Sequence, residues 1–308
     1  MYITVLGSLN MDLVTRVQTL PKVGETVSGI SFETTPGGKG ANQAVAARRL
    51  GASVSMVGQV GDDIYGVELL KSLRSEDVSV ENILSSEGMQ TGVAVIGIED
   101  SGLNFITAVY GANMVETPAF EESLRQSVVG ADVLLLQNEI PHRYNLIAAK
   151  LAKESNTVVI WDPAPANEQS IELADIVTFI TPNEHELAPF IGDFDVDVDN
   201  VELILNMVSR LDDSFSATPV ITLGEKGVAF VDNGTPKLHK AAPVDVVDTV
   251  AAGDAFTGAL AVGISEGLEL SEAIRFANLA GSICVQRHGA QIAMPTRSEV
   301  DEQLLGPQ

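Results

Sequence analysis

Short runs of β-branched and aliphatic residues recur along the chain, at 3–8, 54–58, 132–137, 157–161, 176–180 and 219–223. Stretches with helical spacing of apolar positions lie between them, at 40–50, 67–74, 142–153 and 201–211. Strands that are apolar on both faces and alternate with helices predict a mainly parallel sheet, doubly wound, with helices on both faces. The last third instead gives two successive helical segments, 253–263 and 271–285.

Two stretches break the alternation. Residues 15–34, which include Gly24-Glu25-Thr26-Val27-Ser28-Gly29, carry strand and turn signals where a crossover helix belongs. Residues 91–98 and 103–109, joined across Asp100-Ser101-Gly102, read as a hairpin. Inserted strands of this kind can pair into a small accessory sheet, serving either as a lid over a site or as a surface excursion. With no internal repeat, low-complexity tract or linker, the expectation is one α/β domain over residues 1–308, with lid strands inserted at about 13–35 and 91–110.

Composition narrows the function. Of 308 residues, 45% are apolar but only 5% aromatic, so the core is built mostly from Ala, Val, Leu and Ile. The formal net charge is −24, which disfavours nucleic acid and anionic membrane as partners. No run approaches the roughly 18–20 apolar residues of a membrane helix, and the N-terminus lacks a basic leader region. Cys284 is the single cysteine, which suits a reducing compartment and a cytoplasmic location. On so acidic a chain, any polyanionic ligand must be met by local positive elements, that is, by lysines and helix N-termini.

Several motifs sit where strands end, which is where open α/β sheets bind ligands. The first strand runs into Asn10-Met11-Asp12, a turn or a pair of side chains that share one side of an extended segment and bond vicinal hydroxyls. Gly37-Gly38-Lys39-Gly40-Ala41-Asn42 precedes a helix. Its glycines serve either a plain turn with a solvated lysine or a close approach of backbone to ligand. It is not a Walker A loop, because position 33 is Glu. Asp248-Thr249-Val250-Ala251-Ala252-Gly253-Asp254 places small residues ahead of a long helix, whose free N–H groups and dipole make an anion site. Asp254 is then either a helix cap or a base for an attacking hydroxyl. Asn183-Glu184-His185-Glu186 can hold Mg²⁺ through water, and Thr222-Leu223-Gly224-Glu225-Lys226-Gly227 can admit a flat base; each is otherwise an ordinary cap or turn.

Five segments taken in order resemble the ribokinase family of carbohydrate kinases, which includes fructokinases and adenosine kinase. They are Gly37 to Ala47, Asp162-Pro163-Ala164-Pro165-Ala166, Thr181-Pro182-Asn183-Glu184, Thr222-Leu223-Gly224 and Asp248 to Asp254, within a likeness running from Gly7 to Pro295. The resemblance implies an ATP-dependent transfer of phosphate to a sugar hydroxyl, with D-ribose giving ribose 5-phosphate as the expected reaction. It assigns Asn10, Asp12, Gly38, Lys39, Asn42 and Glu139 to the sugar, with Asp254 as base beside an anion hole at Ala251, Ala252 and Gly253. Asn183 and Glu186 fall to phosphate and Mg²⁺, and Thr222, Leu223, Gly224, Glu225, Lys226, Gly227 and Asn278 to the nucleotide. A monovalent cation, K⁺, is implied at the Asp248 side chain and at backbone carbonyls near Val250, Cys284, Arg287 and Gly289.

Two positions depart from the commoner family pattern. Asp162 stands where Asn is usual, and Ala293 where a hydroxyl often closes the cation site. Related sugar or nucleoside kinases are the alternative, and a sugar-binding regulator that has lost catalysis is a further one, opposed by the intact Asp254 and Gly-Lys-Gly loop. A nearly continuous apolar run, Val93, Val95, Ile96 and Ile98, suggests a lid covered on its outer face by a second subunit, hence a homodimer.

Overall fold

A computed structural model describes residues 1–101, 103–192 and 199–305. The chain forms β1 (Tyr2–Leu6), β2 (Asn10–Val17), β3 (Gly29–Gly37), α1 (Lys39–Arg49), β4 (Ser53–Gly61), α2 (Ile64–Ser75) and β5 (Ser79–Ser86). It continues through β6 (Gly92–Glu99), β7 (Asn104–Val109), α3 (Pro118–Val128), β8 (Val133–Leu136), α4 (His142–Glu154), β9 (Val158–Trp161) and β10 (Phe179–Ile180). The remainder is α5 (Ala188–Ile191), α6 (Val201–Ser214), β11 (Thr218–Thr222), β12 (Val228–Asp232), β13 (Thr235–His239), α7 (Ala252–Ser265), α8 (Leu270–Cys284) and α9 (Arg297–Leu304).

A nine-stranded sheet runs in the order β13-β12-β11-β10-β9-β8-β1-β4-β5. It is parallel from β5 to β11, and β12 and β13 add an antiparallel edge. Its central strands are buried on both faces: Ile3, Val5 and Leu6 of β1 and Val133 to Leu136 of β8 are inaccessible to solvent. One apolar layer packs α1, α7 and α8 against the sheet, and the other packs α3 and α4. This is the doubly wound architecture expected from the alternation. Helix starts follow their caps, with Asp63 accepting from the Gly66 amide, Thr117 from Phe120 and Asn200 from Leu203.

The second sheet has four strands in the order β3-β2-β6-β7. β2 and β6 pair in parallel, and β3 and β7 flank them in antiparallel fashion. The β6–β7 pairing is the expected hairpin, although Gly102 of its turn lies outside the described residues. The apolar run of β6 divides by strand alternation. Val93 and Val95 share a face with Leu13 and Phe105, whereas Ala94 and Ile96 lie on the face of Asn10 and Asp12. The expectation that this run lies on one outer face is therefore corrected: period-two geometry splits it.

Other elements went unread in the sequence. β5, α3, the β12–β13 hairpin and α9 are present, and the strand expected over 176–180 shrinks to Phe179–Ile180. The reason is local, because the Ile176 and Val177 amides both donate to Leu173 O and close a helical turn there.

Candidate active site

The carboxyl ends of β1, β8 and β9 converge with the starts of α1 and α7, and most sequence-selected residues meet there. α1 lies close on β1: a Cβ on Gly40 would come within 2.7 Å of the Gly7 backbone. Gly38, with φ of 90°, turns the chain from β3 into α1. That turn presents the Lys39 amide to Glu139 Oε2 at 3.1 Å. The same carboxylate oxygen accepts from Ser8 Oγ and, at 3.4 Å, from Asn10 Nδ2.

Asn10 and Asp12 are both buried at the root of β2 and face the same side. Burial, together with repulsion from Glu139 and Asp254, pushes Asp12 up to about 7. Lys39 is enclosed by carboxylates. Burial opposes its charge, but Asp162, Asp254, Glu139 and Glu186 together raise its pKa and keep it an ammonium.

Asp254 is not the cap of α7. The capping position is Ala251, which has left-handed backbone (φ 59°) and no side-chain bond to the helix. A non-glycine residue held there stores strain of about 1–2 kcal/mol. Asp254, in the first turn of α7 and 5% exposed, points across to α1. Its Oδ2 accepts from Asn42 Nδ2 at 2.9 Å and its Oδ1 from Gln43 Nε2 at 3.1 Å. Burial raises its pKa, opposed by Lys39 and by these two donors. Ala252 N donates to Thr249 O, and among the described residues the next two amides, of Gly253 and Asp254, have no backbone acceptor. Beside Gly253, where a Cβ would sit, the space is open: among the described residues no atom beyond the local helix lies within 4 Å. Open space, unpaired N–H groups and a helix N-terminus together make a cradle for an anion.

Asp162, after β9, is 5% exposed and accepts from the same Gln43 nitrogen at 2.9 Å. Burial pushes its pKa well above the usual carboxylate range, against the pull of Lys39. Asn183 and Glu186 form a reciprocal cap after β10. Asn183 Oδ1 accepts from the His185 and Glu186 amides, and Glu186 Oε2 accepts from the Asn183 amide.

Next along the sheet edge, Thr222 ends β11, and Leu223 N donates to Gly227 O across a helical turn over Gly224–Lys226. Lys226 reaches Asp199 at 2.5 Å and Glu225 at 3.8 Å. Asn278 of α8 donates to Lys240 O at 3.0 Å, pinning the segment after β13. Asp248 ties two loops, accepting from Val250 N and Gly289 N at 3.0 Å each. The Arg287 amide donates to Cys284 O, and the Cys284 thiol approaches Val250 O at 3.9 Å. Burial, with Asp254 and Asp248 nearby, pushes that thiol up to about 12.

Three participants escaped the sequence reading. Asn113 donates to Asn10 Oδ1 at 2.8 Å and pairs with both backbone groups of Leu9, at 2.9 and 3.0 Å. Ser8 and Gln43 are the others. A signal existed for Asn113, because Gly111-Ala112-Asn113 repeats the Gly40-Ala41-Asn42 triplet.

A cluster of buried polar side chains, a buried carboxylate and an anion cradle on a doubly wound sheet are the parts of a small-molecule phosphotransferase. The model of the pfkB family carbohydrate kinases matches residues 1–297, and the chain belongs to that family. It is 41% identical to a ribokinase of Bacillus subtilis, over 98% of this chain and 99% of that one. It is 40% identical to a ribokinase of Lactococcus lactis, over 98% and 96%. The solved structure of Arabidopsis thaliana ribokinase complexed with ribose and ATP superposes with a TM-score of 0.87, at 34% identity and 99% coverage of each chain.

Proposed function

We propose that the chain transfers the terminal phosphate of ATP to the 5-hydroxyl of D-ribose, giving ribose 5-phosphate and ADP. The observation that carries the reading is Asp254: a buried carboxylate with both oxygens held by α1 amides, one residue from unpaired N–H groups at a helix start. In this reading Asp254 orients the primary hydroxyl and takes its proton, and the turn from Ala251 through Ala252 to Gly253, with the unpaired amides of Gly253 and Asp254, stabilises charge on the transferring group. Asn10, Asp12, Gly38, Lys39, Asn42 and Glu139 bind the remaining hydroxyls. Asn42 Oδ1, buried without a partner among the described residues, fits a sugar O–H donor. Thr222 to Gly227 and Asn278 form the nucleotide pocket.

Mg²⁺ would be held by Glu186 through water, with the nucleotide phosphates. No cage of three or more acidic, His or Cys side chains occurs among the described residues, and a largely hydrated Mg²⁺ needs none. When bound it neutralises phosphate charge. K⁺ would be held by Asp248 and carbonyls near Val250, Cys284, Arg287 and Gly289, a set of hard oxygens that suits it; the buried Ala293 adds no hydroxyl.

We also infer a homodimer joined through the lids. Phe32 (65% exposed) and Phe105 (43%) lie on the face of Leu13 and Val93, and Ile106 (56%) on the face of Asn10. Such apolar exposure supports a second copy as cover. The net charge of −24 opposes association, but screening beyond about 8–10 Å leaves apolar contact able to prevail. No helix among the described residues is long and apolar enough to cross a membrane; a cytoplasmic location is our reading from the lone cysteine. A coupled ADP-release assay across ribose, 2-deoxyribose, fructose and adenosine tests the function. Equal or better kcat/KM with fructose or adenosine overturns ribose as substrate.

A further inference from the structure

Gln43 has a place that neither hydroxyl recognition nor phosphate binding explains. It is fully buried on α1. Its Nε2 lies 3.1 Å from Asp254 Oδ1 and 2.9 Å from Asp162 Oδ2, and its Oε1 accepts from Gln137 Nε2 at 2.6 Å. A primary amide offers two hydrogens and one oxygen, and all are engaged. Turning the amide over would set its oxygen against two carboxyl groups and its NH₂ against the NH₂ of Gln137. Gln137 lies against Gly7, just past β1, where a Cβ would come within 1.9 Å of its Oε1, an oxygen with no partner among the described residues. The two carboxyl groups therefore select this orientation of the amide. Asp254 takes its second bond from Asn42, the preceding residue of the same helix, at 2.9 Å. Two donors from one rigid element define the plane of the carboxylate, and Asp162 anchors one of them.

We propose that Gln43 is a positioning residue for phosphoryl transfer: its amide bridges Asp254 to Asp162 and holds Asp254 in the orientation that receives the sugar proton. This rests on the reading of Asp254 as base. The geometry explains why position 162 needs an acceptor oxygen rather than an apolar group. Without Asp162, one Gln43 hydrogen would be left buried and unpaired, and the amide would be free to tilt away from Asp254. A misplacement of about 1 Å at a reacting group is enough to lower turnover by about a hundredfold.

The test uses the full-length protein with kcat and KM for ribose and ATP from coupled ADP release, and an unfolding midpoint for each variant. Gln43→Met, similar in length but without the donor, is expected to lower kcat about 10- to 100-fold while the ribose KM stays within about threefold. Gln43→Leu also removes the donor and should show the same loss, which covers the case in which the Met variant does not fold. Asp162→Leu should behave alike, and Asp162→Asn, whose carbonyl still accepts the Gln43 hydrogen, should regain most of the activity. Adding Gln43→Met to Asp254→Asn should cause no further loss, because the two act as a unit. The proposal is overturned by a kcat loss below threefold in both folded Gln43 variants, by Asp162→Asn as impaired as Asp162→Leu, or by full additivity with Asp254→Asn. If Asp254→Asn alone keeps normal turnover, the base assignment fails instead, which separates the two failures.

Discussion

Replacing Asp254 by Asn separates chemistry from architecture. The substitution preserves volume, and the structure indicates how the new side chain settles. Gln43 is locked, so the carboxamide oxygen must face it, and the new NH₂ must face Asn42. Asn42 can turn its amide over to accept, because its Oδ1 has no partner among the described residues. Both bonds therefore survive in altered form.

The stability sign follows from burial. Asp254 has a raised pKa in the fold, so ionising it weakens the native state as pH rises from about 4, where the unfolded carboxyl titrates. An uncharged side chain removes that penalty. The variant should be at least as stable as the parent near pH 7.5, with any advantage fading as pH falls toward about 4. Turnover should move the other way, falling about 10²–10⁴-fold, or about 3–5 kcal/mol of barrier. Urea unfolding at the two pH values, beside ADP release with saturating ribose and ATP, reads both quantities. A variant with near-normal turnover and lowered stability would refute the reasoning and return Asp254 to a structural role.

Other outcomes are open to measurement. With Asp12 titrating at about 7, it loses its capacity as a double acceptor as pH drops through that value, so the ribose KM should rise below about pH 7; a KM flat from pH 5.5 to 8.5 would count against Asp12 as a sugar ligand. 2-Deoxyribose leaves a buried polar group unpaired, at about 1–3 kcal/mol, so its kcat/KM should fall roughly 5- to 150-fold; parity with ribose would contradict the hydroxyl assignments. Phe105→Glu puts a charge on an exposed apolar lid position and should yield a monomer in sedimentation at moderate salt, whereas a wild-type chain already monomeric and fully active at micromolar concentration would remove the lid dimer. Asp248→Ala should abolish any K⁺ dependence of rate, and unchanged K⁺ activation would move the cation elsewhere.

The sequence disclosed the fold where burial was simple. β1, β8 and β9 read as strands because both faces are covered, and α4 and α6 read as helices because each has one apolar stripe, whereas α1 is buried all round from Gly40 to Ala47. It was silent where tertiary pairing decides. β5 mixes half-buried and exposed residues, and β12–β13 carry their turn in Asn233-Gly234, a signal overshadowed by the loop before it. The site divided in the same way. Residues in Gly-rich or Asp-containing motifs stood out, whereas Gln43 acts through distant partners, with Asp254 lying 211 positions away. The local alternative for Asp254 was equally consistent with sequence, and only the left-handed Ala251 at the capping position set it aside.

Asn10 and Asp12 are the first and third residues of β2, and β2 is also a lid strand. The residues we assign to the sugar thus sit on a strand of the accessory sheet, and Asn113, just past β7, ties the exit of that sheet to the same root. In our reading, recognition and cover share this one strand. A lineage changing its preferred sugar through this strand would also reset how readily the cover shuts, how well water is kept from ATP, and how the apolar lid surface is offered to a neighbour.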